Sequence, residues 1–445
     1  MSSNPYIYPR PPAADHTDSS STSSAIPHDV PSHKRKERQV ILIITLVQNL
    51  TSREHSHSDT TATSLTDPDS RQRGRRVPTH VHAILTSQII LDNQGLYDDK
   101  LKQLDQASSD SDDDDDEQPT EVEIANMTAE ARASLAAEWE LKQYQRAVVF
   151  RPYQRDHETY EAFKRVVGVD TLRKKVAAGG SDLKDWLSVL DAGSSDSRSH
   201  DTRKMIPVGA RVANTRISRA EDKFSLEDGA DQRKGRGIQN DYAGYFLSDI
   251  RYDWSKAETR QGIRAGDPRF APSYFIQMLY PEGGGDATNV TRNFTMSPYM
   301  VAAFKAIFLS PTEARASLDH QPDDQEPARK KTKRSARAVP RRKSVAAKLN
   351  MQSVSPRNIA YTACQLRTAL TDAHDWSTVY DGFNYLFFYD FIVDFFEGPQ
   401  KTEERRQNAK SILEWWNEQV FQEGQFRRSD GTDMVSQSLA LLDEL

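Results

Sequence analysis

Eight of the fourteen residues from Phe383 to Phe396 are aromatic. A stretch this apolar has to be buried, and its polar residues Asp390, Asp394 and Glu397 recur at i, i+4 and i+7. The spacing predicts a helix with one polar side and a buried remainder. Asp381 is placed to cap it and Gly398-Pro399 to stop it. Ser355-Pro356 reads as an N-cap followed by a first-turn proline, opening a helix with Ile359, Ala363, Leu366 and Leu370 on one face. Thr402 opens a third helix, with Ala409, Ile412, Leu413, Trp416 and Val420 sharing a side. The expectation is an aromatic-rich three-helix subdomain at the C-terminal end.

Upstream the helical pattern is less regular. Thr128 can cap a helix from Ala129 to about Val149, and a second helical stretch covers about His157 to Val167. Ser181 precedes a stripe of Leu183, Trp186, Leu187 and Leu190, which Gly193 is placed to end. Residues 191–240 read as loop-rich, because Ser194 to Thr202 (SSDSRSHDT) offers hydroxyls and carboxylates for turns. Residues 241–275 read as a packed irregular region with a short helix near Lys256 to Arg264, and Ser297-Pro298 starts another helix reaching about Leu309. No strand alternation of useful length occurs, so the fold class is all-α, an irregular multi-helix domain.

Composition separates this domain from its flanks. Charged residues make up 28 % of the 445 and apolar residues 36 %, so about 250–300 residues are expected to fold as one large domain. The predicted organisation is a disordered low-complexity region over 1–124, a helical domain over 125–425 with a disordered basic loop at 311–345, and a flexible tail over 426–445. Met1 to Ile26 has no apolar signal-peptide core, and Val40 to Val47 is far shorter than the ~20 residues of a membrane span. Cys364 is the only cysteine, so no internal disulfide is possible.

Charge is distributed in blocks. Asp110 to Glu117 is acidic except for Ser111, and Ser109 and Ser111 each have Asp three residues on, which makes them candidate phosphorylation sites. Arg329 to Lys343 carries nine basic residues in fifteen: Arg329, Lys330, Lys331, Lys333, Arg334, Arg337, Arg341, Arg342 and Lys343. Such an extended run suits a nuclear-import receptor. The same charges suit phosphate contact with nucleic acid, or a solvated linker opposing the acidic run.

Four segments resemble an uncharacterised, multi-copy domain family of mushroom-forming fungi. They are Ala192 to Thr202; Gly235 to Trp254 (GRGIQNDYAGYFLSDIRYDW) with Ile263 to Asp267; Phe275 to Pro281 with Ala302 to Pro311; and Val345 to Phe421. Together they span about 140–425. The chain departs from the family pattern at Asp241-Tyr242, where the pattern has His-Pro, and at His200-Asp201, where it has Asp-Asp. The resemblance implies domain limits and a fungal origin, and no activity.

No catalytic residue, cofactor site or metal site is identified. Asp390, Asp394 and Glu397 could present paired acids to a metal or to acid/base chemistry, and equally form the polar side of their helix. Cys364 reads as a buried small hydrophobe rather than a nucleophile, since only His374 lies near it in sequence. Gly283-Gly284-Gly285 reads as a turn, and there is no phosphate-loop or kinase signature. The leading expectation is a non-enzymatic nuclear module that binds a protein partner. The alternatives are a nucleic-acid-binding accessory protein of a mobile element and a cryptic metal-dependent enzyme. No membrane association and no small-molecule substrate are expected.

Overall fold

Helix propensity and burial agree best at Pro356–Ala369, where every residue from Arg357 to Ala369 is buried. The computed structural model of the protein describes residues 68–80, 82, 85–109, 127–226, 230–319, 344–349, 351–374 and 376–421. All of these belong to one unit, Thr66–Leu445. In chain order the α-helices are α1 (Pro68–Gly74), α2 (Val77–His80), α3 (Ser87–Ser109), α4 (Ala129–Val167), α5 (Val169–Ala178), α6 (Gly180–Asn214), α7 (Asp241–Leu247) and α8 (Ala257–Ala265). They continue with α9 (Pro298–Phe304), which runs into a π-helical turn at Lys305–Leu309, then α10 (Pro311–Asp319), α11 (Val345–Lys348), α12 (Pro356–Ala369), α13 (Tyr385–Glu397) and α14 (Glu403–Val420). The all-α expectation holds: among the described residues the strands are the two-residue β1 (Val379–Tyr380) and β2 (Phe383–Asn384), paired antiparallel.

A helix buried all round sits at a centre, and α12 packs against α6, α9 and α13. Ser355 caps it with Pro356 in the first turn, as the sequence implied, and Asn358 completes a capping box. Two of its polar side chains pair with α6. Thr202 Oγ1 donates to Gln365 Oε1 at 2.8 Å, and Tyr361 OH donates to Asp201 Oδ2 at 2.9 Å. The main core extends from α12 through α9, α13 and α14, with Phe304, Phe308, Phe388, Tyr389 and Trp416 fully buried. Phe294 is enclosed by the rings of Phe275, Phe391 and Phe395. A smaller core joins Val77, Ile90, Phe163, Trp186 and Leu190.

Several expectations are corrected. Helices α1, α2 and α3 lie inside the span 1–124 that was expected to lack order. The two helices expected over 129–149 and 157–167 are one, with Pro152 inside it. Gly193 does not end its helix, because α6 runs on through Ser194–Thr202 and past Pro207 to Asn214. The glycine serves a helix crossing. A Cβ on Gly193 would come within 2.3 Å of Arg71 O, and one on Gly74 within 2.1 Å of Leu190 O. The turn-forming side chains of SSDSRSHDT find tertiary partners instead of local backbone. Ser194 Oγ donates to Gly74 O, and Asp196 pairs with Arg71 and Arg75.

At α13 the cap is Asn384, which accepts from the Leu386 and Phe387 N–H groups, and not Asp381. Asp381 and Gly382 both have positive φ (49° and 73°), the requirement of a type I′ hairpin turn, and that turn joins β1 to β2. Finally, α10 occupies 311–319, where the basic loop was expected to begin.

Candidate functional site

The three acids singled out on α13 are held by arginines. Arg151 of α4 is buried. Its Nε donates to Asp394 Oδ1 at 2.8 Å, its Nη1 to both Glu158 carboxylate oxygens at 3.0 Å, and its Nη2 to Glu397 Oε2 at 3.4 Å. Arg155 pairs with Asp390 at 3.0 Å and also with Asp394. Arg357, at the start of α12, lies 3.5 Å from both Glu158 and Glu397. His82 Nδ1 accepts from the Leu85 N–H, so its Nε2 carries the proton donated to Asp390 Oδ1 at 3.2 Å.

Burial lowers the His82 pKa and keeps the ring neutral. Burial pushes the Asp390 carboxyl up, but Arg155 and His82 outweigh it and hold it below the ordinary range. At Asp394 and Glu397 burial wins over the nearby arginines and the pKa rises. The geometry is that of a clamp: helix spacing puts Arg151 and Arg155 on one side of α4 and Asp390 and Asp394 on the facing side of α13. Breaking such a partly buried network leaves charges uncompensated. The acids are thus neither a paired acid/base set nor a plain solvated face.

A different feature is open to ligands. Residues 241–255 and their surroundings line a cleft of about 590 Å³. It is built outward from α7. Asn240 caps that helix by accepting from the Tyr242 and Ala243 N–H groups. Gly244 lets the Trp254 indole lie against the helix, since a Cβ there would sit 2.5 Å from the ring. Trp254 Nε1 donates to Asp241 O at 2.7 Å. Buried Asp249 fixes the next stretch by accepting from the Arg251 N–H, the Arg251 guanidinium, and the Ser273 N–H and hydroxyl. The Asp249↔Ile276 bridge ties it to the far wall.

The rings of Tyr242, Tyr245, Tyr252 and Trp254 line the cleft together with Arg216, Arg251, Arg260 and Gln277. The Arg216 guanidinium sits 3.7 Å over the Tyr245 ring and pairs with Glu282 at 2.8 Å. Burial raises the Tyr245 pKa, so its hydroxyl stays protonated. The Tyr242 and Tyr245 hydroxyls and the Gln277 side-chain amide have no hydrogen-bond partner among the described residues.

The other sequence-marked residues are scattered. The nine basic residues of 329–343 and Ser111 lie outside the described residues, and Ser109 is the last residue of α3. Cys364 is fully buried, and burial pushes its thiol pKa up, as a small buried hydrophobe requires. Gly283-Gly284-Gly285 forms a turn in which the Gly284 N–H donates to Pro281 O. Among the described residues no group of three or more His, Cys, Asp or Glu side chains is arranged to hold a metal ion, and no helix is long and apolar enough to cross a membrane. The cleft was missed from sequence, although its aromatics were visible between 242 and 254. Nothing local told a ring lining a cleft from a ring packed in a core.

The segment that carries the strongest part of the cleft, Gly235 to Trp254, is also one that carried the family resemblance. Residues 192–421 match a family of unknown function (DUF6698). The chain belongs to that family. The matched range is narrower than the expected 140–425: it begins within α6 and ends with α14, so it contains the whole cleft and α13 but not α4. No curated protein and no solved structure matches the chain.

Proposed function

We propose that this chain is a non-enzymatic interaction module that takes a segment of a protein partner in the DUF6698 cleft. The observation that carries the reading is an open, ring-lined cleft that keeps Tyr242, Tyr245 and Gln277 polar groups unengaged. Extended peptides are recognised by this combination of aromatic faces and a few orienting polar groups. Charge argues for a peptide over a phosphate backbone. Each of Arg216, Arg251 and Arg260 already has a carboxylate, in Glu282, Asp249 and Asp241 respectively, so little positive potential is left for phosphates.

The test is a peptide-display selection against the full chain, counter-screened with Tyr245→Ala. The expected result is a set of peptides that bind the natural chain and lose at least tenfold in affinity, about 1.4 kcal/mol, on the variant. Failure to enrich any peptide that discriminates the two would sink the reading.

The nuclear setting rests on Lys330, Lys331, Lys333 and Arg334 with Arg341, Arg342 and Lys343 as a second half. A fluorescent fusion should concentrate in nuclei and spread to the cytoplasm when 329–343 is deleted. The nucleic-acid reading draws on the same run. It would displace import if the full chain bound DNA in a salt-sensitive way that vanished with the deletion.

A further inference from the structure

Each charged side chain on the wall of the DUF6698 cleft has an opposite charge within the fold. Arg216 pairs with Glu282 at 2.8 Å and Arg251 with Asp249 at 2.7 Å. Asp241 lies 2.5 Å from Arg264 and 3.6 Å from Arg260, and Asp253 lies 3.7 Å from Lys256. A charged ligand would give up its own hydration to compete with a partner already in place. The rings argue separately against a cation. A cage for an ammonium group needs open aromatic faces. Here the guanidiniums of Arg216, Arg251 and Arg264 already sit 3.7 Å over Tyr245, 5.3 Å over Tyr252 and 5.4 Å over Trp254. The cleft is therefore suited to a neutral ligand.

Hydrogen-bonding groups divide unevenly between used and unused. Acceptors on the wall are in use. Asp241 O takes the Trp254 indole N–H, Trp254 O and Ser255 O both take Arg260 Nη1, and Asp253 Oδ1 takes the Ser255 N–H and hydroxyl. Donors are left over. The Tyr242 and Tyr245 hydroxyls and the Gln277 amide have no partner among the described residues, and burial keeps the Tyr245 hydroxyl protonated. An ordinary peptide brings one N–H with every carbonyl, and an N–H taken from water without an acceptor is costly. A proline brings a carbonyl and no N–H.

Granting that the cleft takes a peptide, we propose that this peptide is proline-rich and is bound in the polyproline II form. Its carbonyls accept from Tyr242, Tyr245 and Gln277, and its proline rings lie against the aromatic wall. Tyr242, whose ring has no cation or second ring over it among the described residues, supplies the open face. Polyproline II has no internal hydrogen bonds, so its carbonyls are free, and its shape is largely set before binding. It repeats every three residues, so the prolines that meet the wall are three positions apart.

The experiment is a display selection against the full chain from two mixed libraries, one of random peptides and one with two prolines fixed three positions apart, counter-selected on Tyr245→Ala. The expected winners come from the second library. Alanine in place of their prolines should weaken binding tenfold or more, and an N-methylated residue, which also lacks the N–H, should restore most of it. On the protein side, Tyr242→Phe removes one donor and keeps the ring, so the loss expected is about two- to tenfold. Gln277→Glu exchanges an amide donor for acceptors at nearly constant size. It should weaken a ligand that offers carbonyls and strengthen one that offers N–H groups or positive charge. The Tyr242 hydroxyl and the Gln277 amide bond nothing among the described residues, so both variants should melt like the natural chain.

The two readings fail differently. Absence of any Tyr245-dependent peptide overturns the peptide reading and the proline assignment together. Tyr245-dependent winners that lack paired prolines, that tolerate alanine at them, or that bind Gln277→Glu more tightly overturn the proline assignment alone.

Discussion

Asp156 stands beside the arginine clamp without belonging to it. Burial is the largest influence on its carboxyl, and although Arg155 opposes it, the pKa is pushed up to about 6 from 3.8. The sign of the consequence follows from linkage. The folded chain holds this proton more tightly than the unfolded one, so the carboxyl weakens folding increasingly as pH rises from 3.8 and fully above about 6. Replacing Asp156 by Asn should therefore raise the melting temperature at pH 7, and the gain should shrink as pH falls through 6 towards 4. Thermal melts of the two proteins across that window test it, and a gain independent of pH would contradict the assignment. His82 acts in the opposite direction. Its lowered pKa means that protonation below its ordinary 6.5 favours the unfolded chain.

At the scale of elements, close helix crossings decide which stretches join. The α1–α6 contact is made backbone to backbone through Gly74 and Gly193, and Ser194 Oγ donates to Gly74 O at the same point. Gly193→Ala has helical backbone to suit it, so propensity alone would favour the change by up to ~1 kcal/mol. The added methyl would meet Arg71 O at 2.3 Å, and separating the helices should cost about 1–3 kcal/mol, so a net loss is expected. Chemical denaturation checks the sign. A stabilised Gly193→Ala protein would mean that the crossing is not this close. The α6–α12 crossing has the same form, with Gly209 set against Ala369 O at 2.6 Å from an added Cβ. Arg236 reaches across it to donate to both Ile206 O and Ala369 O.

Over the whole molecule, the family-matched range and the folded unit are not the same object. The range 192–421 starts within α6 and omits Phe163, Trp186 and Leu190 of the smaller core, as well as Arg151 and Arg155 of the clamp. A fragment of 192–421 would expose the α13 carboxylates without Arg151 and Arg155, keeping only Arg357 beside Glu397, and would remove the first third of α6. It is expected to be aggregated or molten, whereas 68–421 should unfold cooperatively. Amide exchange on the two fragments decides this. A 192–421 fragment with protected α12 amides would show that the N-terminal helices are dispensable.

The sequence by itself determined the helical class, the buried face of Trp186, Leu187 and Leu190, the N-cap serine and first-turn proline of α12 and the aromatic burial of α13. These rest on local spacing and on side chains with one stable environment. Tertiary structure alone decided the rest. Gly193 reads as a helix end until α1 is seen against it, and Asp390, Asp394 and Glu397 read as the polar side of their helix until Arg151 and Arg155 arrive from far away in the chain and Arg357 from α12. The rings of Tyr242, Tyr245 and Trp254 look the same in sequence whether they fill a core or line a cleft. In each case a residue's role depends on which distant segment comes to lie beside it, and that information is not carried by its neighbours along the chain.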